Sequence, residues 1–168
     1  MSILKTSALV LFGILLLGYV AGLFATKKVL TETEIDASPD EVWPVFSDTA
    51  SYPEWNPLMP QFAGKLAQGE KLDISIQLQG MSPTKIDPTV VVVRENEELR
   101  WRGSGAIPGL FTGEHYFVLT KTAKGSTTLR HGENFSGILG YLLMSALEQK
   151  TSDSYSAMNV ALKERVEA

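Results

Sequence analysis

Residues 38–60, SPDEVWPVFSDTASYPEWNPLMP, decide the fold that we predict for this chain. Ser38 is a favoured helix N-cap residue, and Glu41 stands three residues later, where it can close a capping box. Pro44 lacks a backbone N–H, so this helix is expected to be short and to end soon after it. Residues 48–57 then have the turn-rich pattern of a second short helix and its exit loop.

A strand-like run, LTETEIDA at 30–37, precedes this stretch. The order of a strand, then ASPDEVW, then D-x-x-x-Y-P-E-W-N-P resembles the start of the SRPBCC superfamily, the START-like or polyketide-cyclase-like helix-grip domains. The resemblance covers the chain from about Val29 to its end. It implies an α+β fold in which two short helices follow the first strand. A long curved antiparallel sheet then wraps a C-terminal helix and leaves an apolar cavity.

The composition narrows the classes of function. The chain has 168 residues, a net charge of −4 and a pI near 5.2, which argue against a nucleic-acid partner. It has no cysteine, so disulfides, thiolate metal sites and a cysteine nucleophile are excluded. The helix-grip fold hosts carriers, cyclases and other proteins, so the resemblance alone assigns no activity.

Residues 8–25 form an uncharged run that would rise about 27 Å as a helix, close to the thickness of a bilayer core. We predict an uncleaved transmembrane anchor over residues 1–28, followed by one domain over residues 29–168. A cleaved signal peptide is the alternative, although a cut after Ala25 would place the large Leu23 at the −3 position.

The lysines around this run give little bias in orientation, because Lys5 precedes it while Lys27 and Lys28 follow it. An N-terminal hydrophobic segment most simply acts as a signal-anchor. We therefore predict a single-pass membrane protein with an extracytoplasmic domain.

Hydrophobic alternation predicts the strands of the sheet. The expected strands are 62–66, 72–78, 88–94 and a strand around 99–103, followed by a loop over 103–109. The resemblance implies that this loop lies near the cavity mouth, and an ordinary surface connection is the alternative. Residues 137–168 contain no proline and predict the long C-terminal helix. Its expected inward face comprises Leu143, Leu147, Tyr155, Met158, Leu162 and Val166. The polar middle over residues 149–154 must either face water or turn Thr151 or Ser154 inward.

The last hairpin is the most informative part of the predicted sheet. Matching the apolar faces across the turn at 123–125 requires pairs whose numbers sum to 248. His115 then faces Glu133, and Phe117 faces His131. Both histidines of the chain and one glutamate are therefore expected together on the concave face.

The first functional hypothesis is the binding of a hydrophobic small molecule or lipid, because apolar pockets with few polar groups are the usual ligand sites. The candidate contacts are Trp55, Ile74, Ile76, Trp101, Phe111, His115, Phe117, His131, Glu133, Phe135 and Leu143. No cofactor is predicted.

The second hypothesis is a cyclase-like or hydrolase-like enzyme in which His115, His131 and Glu133 perform acid–base chemistry. The same three residues can instead hold a zinc ion or form a buried hydrogen-bonded cluster without a catalytic role. A third hypothesis is a structural or partner-binding protein at the membrane. The sequence does not decide the oligomeric state.

Overall fold

A computed structural model describes residues 2–168 of the chain. The helices are α1 (Ser2–Leu23), α2 (Pro39–Ser47), α3 (Tyr52–Trp55) and α4 (Ile138–Glu167), with a 3-10 turn over Thr49–Ser51. The strands are β1 (Thr26–Ile35), β2 (Gln61–Ala63), β3 (Asp73–Ile76), β4 (Thr84–Ile86), β5 (Thr89–Arg94), β6 (Glu98–Ser104), β7 (Thr112–Lys121) and β8 (Thr127–Ser136).

The strands form two antiparallel sheets in the order β1-β8-β7-β6-β5 and β2-β3-β4. A bridge between Lys71 and Thr89, and a hydrogen bond of 2.9 Å from the Leu72 N–H to the Pro88 carbonyl, connect the two. The curved sheet and the long C-terminal helix are those of the predicted α+β helix-grip architecture.

The predicted helix start at Ser38 is confirmed. The backbone N–H of Ser38 donates to Glu41 Oε2 at 2.8 Å, and the Ser38 hydroxyl donates to the same oxygen at 2.7 Å. These hydrogen bonds lower the pKa of the Glu41 carboxyl below its usual value. Pro44 lies inside α2, which ends three residues later at Ser47.

The strand predictions were right in position but not in extent. β2 ends at Ala63 rather than at residue 66, and β4 was not predicted at all. β5 carries a register shift between Val90 and Val92, as a bent strand of consecutive valines suggests. The short strands β2, β3 and β4 form the smaller sheet, where the alternation of burial extends over few residues.

Helix α4 packs mainly against β1 and β8. Tyr155, Met158 and Leu162 are buried as predicted, and Thr151 and Ser154 both turn inward. Leu143 was predicted on the inward face but is 49% exposed, because the first turns of α4 bury Gly140 and Met144 instead.

Helix α1 contacts the domain at its C-terminal end, where the Tyr19 hydroxyl donates to the Pro108 carbonyl at 2.9 Å. Across residues 2–168, no helix has the length and apolar character required to cross a membrane. The structure therefore does not support the predicted transmembrane anchor.

Glycines in the sheet give a test of the observed register. A Cβ at Gly132 would lie 2.6 Å from both the Val29 carbonyl oxygen and the Tyr116 hydroxyl, whereas one at Gly103 would approach nothing closer than 3.8 Å. We expect Gly132→Ala to destabilise the fold by about 1–3 kcal/mol, as overpacking does. Gly103→Ala is the matched control, with little change expected in the urea midpoint. Equal midpoints for the two variants would contradict this packing of β1, β7 and β8.

Candidate functional site

A cavity of about 480 Å³ lies between the first half of α4, the concave face of β6 to β8, and the segment around β3 and β4. It contains seven of the residues predicted to contact a ligand, namely Ile76, Trp101, Phe111, His115, Glu133, Phe135 and Leu143. The half-exposed Leu143 belongs to the rim of this cavity rather than to the core.

Four other predicted contacts do not line the cavity. Trp55 lies on α3, where its indole N–H donates to the Ser51 hydroxyl at 3.2 Å. Ile74 is fully enclosed in the core, and Phe117 packs between Phe46 and Trp101. His131 lies one layer below the cavity floor, behind His115.

Helix α4 contributes cavity residues that we did not predict as contacts, namely Met144, Leu147, Thr151 and Tyr155. The periodicity of α4 placed Tyr155 and Leu147 on its inward face, but nothing in the sequence linked them to the hairpin. The rotation of α4 about its own axis decides which of its side chains reach the cavity.

The predicted register of the last hairpin is confirmed. His115 pairs with Glu133, Phe117 with His131 and Leu119 with Leu129. Because side chains alternate along a strand, this register places both histidines and Glu133 on the concave side, under α4. The role of these residues stays a prediction.

Glu133, His115 and Tyr155 form a polar cluster at the cavity wall. The Tyr155 hydroxyl donates to Glu133 Oε2 at 2.6 Å, and His115 Nδ1 lies 3.2 Å from the same oxygen. Burial, followed by the Glu133 charge, raises the pKa of Tyr155 well above its ordinary value. The phenol therefore stays protonated and acts as a donor to the carboxylate.

Below this cluster, His131 and Asn159 are fully buried in the core. His115 Nε2 lies 2.8 Å from His131 Nε2, and His131 Nδ1 lies 2.7 Å from Asn159 Oδ1. Asn159 Nδ2 donates to Thr31 Oγ1 at 3.0 Å, and the Thr31 hydroxyl donates to the His131 carbonyl at 3.1 Å. This series of hydrogen-bond contacts, the polar chain, thus links β1, β7, β8 and α4.

Aromatic rings enclose the two imidazoles. Trp101 stacks on His115 with ring centroids 4.9 Å apart, and Tyr155 stacks on His131 at 4.2 Å. Both histidine side chains are buried, so the rings lie in a medium of low dielectric constant.

The two oxygens of the Glu133 carboxylate have different surroundings. Within residues 2–168, the hydrogen bond from the Tyr155 hydroxyl and the contact with His115 Nδ1 both involve Oε2. The other oxygen, Oε1, lies against Gly113 on the cavity wall, where a Cβ would collide with it. Gly113 therefore provides the space in which this carboxylate sits.

The described residues do not present a metal site. Within residues 2–168, no three His, Cys, Asp or Glu side chains are arranged to hold a metal ion.

A separate depression of about 770 Å³ lies around Lys28, Arg102, Glu114 and Asn134. Its Glu114 carboxylate is paired with Arg100 and Arg102, so we place the candidate site in the smaller cavity, where Glu133 is mostly buried.

Comparisons with known proteins point to one family. The model of the family described as polyketide cyclase / dehydrase and lipid transport matches residues 26–167. No curated protein matches the chain.

Solved structures share the fold at low sequence identity. The Zhui aromatase/cyclase from Streptomyces sp. R1128 has a TM-score of 0.67 at 14% identity, covering 85% of this chain and 94% of its own. A START superfamily protein from Mycobacterium smegmatis has a TM-score of 0.65 at 21% identity, covering 83% and 97%. Norcoclaurine synthase from Thalictrum flavum, in complex with dopamine and hydroxybenzaldehyde, has a TM-score of 0.64 at 19% identity, covering 85% and 87%.

The buried His131 predicts how stability depends on pH. Burial, followed by the nearby His115, lowers the pKa of His131 well below its ordinary 6.5, so the unfolded chain takes up this proton first as pH falls. The contribution of His131 is full above about pH 6.5 and is lost as pH falls from there towards the folded pKa.

We therefore expect the free energy of unfolding of the parent protein to fall more steeply than that of His131→Gln between about pH 7 and about pH 5. Urea denaturation at each pH measures both slopes, and other titrating groups contribute to both proteins. Parallel curves would show that His131 takes up its proton equally in the folded and unfolded chains.

Proposed function

Because the chain belongs to the polyketide cyclase / dehydrase and lipid transport family, we propose that it binds a small apolar molecule in the cavity beneath α4. Glu133 recognises a hydrogen-bond donor on that molecule, such as a hydroxyl group or an N–H. The observation that carries the proposal is the Glu133 carboxylate, which Tyr155 fixes through Oε2 while Oε1 lies at the wall of an apolar cavity.

The size and lining of the cavity support this function. Its volume of about 480 Å³ is within the range of small-molecule sites, roughly 300–1,000 Å³. Ile76, Phe111, Phe135 and Met144 supply apolar surface, and Glu133 forms a polar group with His115 and Tyr155 on the wall. The lining also includes Lys85, Asp87 and Ser104. A carboxylate in such surroundings favours a ligand that donates a hydrogen bond, because an unpaired buried charge is costly.

One solved structure with the same fold holds molecules of this ligand class. The norcoclaurine synthase structure holds dopamine and hydroxybenzaldehyde, which are aromatic molecules that carry hydroxyl groups. We propose a ligand of similar chemistry for this chain, an aromatic or alicyclic body with a hydroxyl or amine substituent.

A cyclase-like enzyme is the second candidate function. Glu133, His115 and Tyr155 meet within hydrogen-bond distance at the cavity wall, and such a set can accept a proton from a bound molecule and return it. Recovery of a bound substrate in rearranged or dehydrated form would favour the enzyme, whereas recovery of unchanged molecules would favour a carrier.

A ligand pair that differs only in its donor tests the binding function. 2-Naphthol should bind saturably at about one site and change the tryptophan emission, because Trp101 lines the cavity. Glu133→Gln should weaken 2-naphthol by roughly tenfold to a hundredfold, as expected for a hydrogen bond to a charged group. 2-Methoxynaphthalene, which lacks the donor, should bind both proteins alike.

Two tryptophan substitutions test whether the ligand binds inside the cavity. Ile76→Trp fills the wall and should abolish binding, whereas Val160→Trp adds the same ring on an exposed position of α4 and should leave it unchanged. The proposal fails if the parent protein shows no saturable binding, or if Glu133→Gln weakens both naphthalenes equally.

We also propose a membrane location, which rests on the uncharged run at residues 8–25. Exposed apolar side chains on α1, including Leu9, Phe12 and Leu17, are consistent with contact to lipid. Full-length protein is expected to sediment with membranes after cell lysis and to stay there in high salt. Its recovery in the supernatant would contradict the proposal.

A further inference from the structure

We propose that the border of the cavity is a docking surface for a lipid bilayer, and that the ligand enters the cavity from that bilayer. The docking surface, named the rim surface below, consists of the exposed side chains of Ile107, Leu139, Leu142 and Leu143. The docking rests on the placement of α1, the loop before β7 and the start of α4. The route of entry rests in addition on the proposed function.

Two segments beside the cavity contain no charged residue, although 20% of the chain is charged. They are residues 103–113, which include the loop between β6 and β7, and residues 137–147, which include the first turns of α4. The Leu139 N–H donates to the Leu110 carbonyl at 3.0 Å, so the two segments pack together. Their rim-surface side chains are 49–58% exposed. A cluster of exposed apolar side chains of this kind indicates an interaction site.

The sheet register brings both segments to the place where α1 joins the domain. Thr26, the first residue of β1, pairs with Ser136, and Ser136 pairs with Thr112. Only Phe24 and Ala25 separate α1 from β1, so α1 ends within about 11 Å of this edge of the sheet. Any layer that holds α1 therefore also lies close to the rim surface.

Contacts of α1 fix its end against both segments. Gly22 approaches α4 so closely that a Cβ on this glycine would lie 2.9 Å from Ile138 Cβ. One turn earlier, the Tyr19 hydroxyl donates to the Pro108 carbonyl in the loop. Tyrosines are enriched at the boundary between membrane and water, so Tyr19 marks the expected level of that boundary on α1.

The exposed surface of α1 identifies a lipid bilayer as the partner. The four successive side chains from Leu9 to Phe12 are 58–71% exposed, and successive residues of a helix point in different directions around its axis. A groove on a protein or on a second copy of this chain would take an apolar stripe on one side of a helix, whereas lipid surrounds it. Lys27 and Lys28 follow α1, at the level where lipid headgroups attract cations.

The rim surface and the cavity share a border. Leu143 belongs to both, and the cavity-lining Gly105 and Phe111 stand in the same loop as Ile107. A bilayer that covers the rim surface therefore meets the cavity at this border. An apolar molecule then passes from lipid to cavity without exposing its apolar surface to water, which is the unfavourable step in transfer through solution.

Dyes at two positions of α4 test the docking. The chain has no cysteine, so Leu142→Cys and Val160→Cys each accept one environment-sensitive dye. The two side chains are 56% and 49% exposed, and they lie about 27 Å apart along the helix. In full-length protein reconstituted into phosphatidylcholine vesicles, nitroxide-labelled lipids should quench the dye at position 142, which is expected about 5–10 Å below the headgroups. The dye at position 160 should stay unquenched.

Three results would overturn the docking. They are failure of the protein to associate with the vesicles, equal quenching at both positions, and absence of quenching at position 142. A dye at position 142 whose emission shifts to the blue without quenching by nitroxide lipids would identify a protein partner or a second copy of the chain as the occupant instead.

A charge on the rim surface should weaken the docking. Leu142→Glu is expected to lower the quenching of a dye at Ile107→Cys by roughly twofold or more, because a carboxylate opposes burial in lipid. Val160→Glu places the same charge on the far half of α4 and should leave that quenching unchanged. Identical quenching with either glutamate would contradict the contact of Ile107 and Leu142 with one bilayer.

Loading from the bilayer tests the route of entry. 1-Hydroxypyrene, an apolar aromatic molecule with one hydroxyl, is dissolved in the vesicle lipid, and energy transfer from tryptophan reports its arrival in the cavity. The parent protein should load roughly tenfold faster than Leu142→Glu, the change that about 1.4 kcal/mol in the barrier produces, and should reach the same final occupancy.

The loading experiment separates the two proposals. Equal loading rates in the parent and Leu142→Glu would show that the ligand enters from water, and would overturn the route of entry. Quenching at position 142 without binding of 1-hydroxypyrene or 2-naphthol would instead refute the proposed function and leave the docking surface standing.

Discussion

The structure depends on the antiparallel pairing of β7 with β8, in which His115 faces Glu133 and Phe117 faces His131. A shift of one residue would turn these side chains to the opposite face and break their contacts with α4. With this register, Tyr155 and Asn159 meet Glu133 and His131, and the polar groups of helix and sheet satisfy one another. The position of α4, and with it the cavity, follows from these contacts.

The buried polar chain of hydrogen bonds is expected to contribute more to the uniqueness of the fold than to its stability. Each group must be desolvated, and a missing partner would leave a costly unpaired donor or acceptor. The apolar core around Phe46, Leu99, Met158 and Leu162 supplies the hydrophobic stabilisation. The polar chain instead fixes how α4 is rotated against the sheet, since a turned helix would separate Asn159 from both Thr31 and His131.

Much of this arrangement could be predicted from the sequence, because its signals are local. The capping box at Ser38 and the alternation along both strands of the last hairpin depend on neighbouring residues. β4 was missed because it is short and only its last residue is partly buried. Leu143 was misplaced because several rotations of α4 fit its apolar periodicity, and the contacts of Met144 and Gly140 select among them.

The site itself was predicted only in part. Alternation brought His115, His131 and Glu133 to one face, but the separation of a cavity wall from a sealed layer below it required the packed structure. Tyr155 and Asn159 lie on α4, 22 and 28 residues from their partners on β8. No local pattern relates residues at that distance, so the network could be recognised only once helix and sheet were in contact.

The most direct measurement is a high-resolution experimental structure of the protein with 2-naphthol. The account predicts the naphthalene ring between Phe111, Phe135 and Met144, with its hydroxyl oxygen within hydrogen-bond distance of Glu133 Oε1. A ligand bound in the charged depression around Arg102 and Glu114, or in the cavity with its hydroxyl directed away from Glu133, would contradict it.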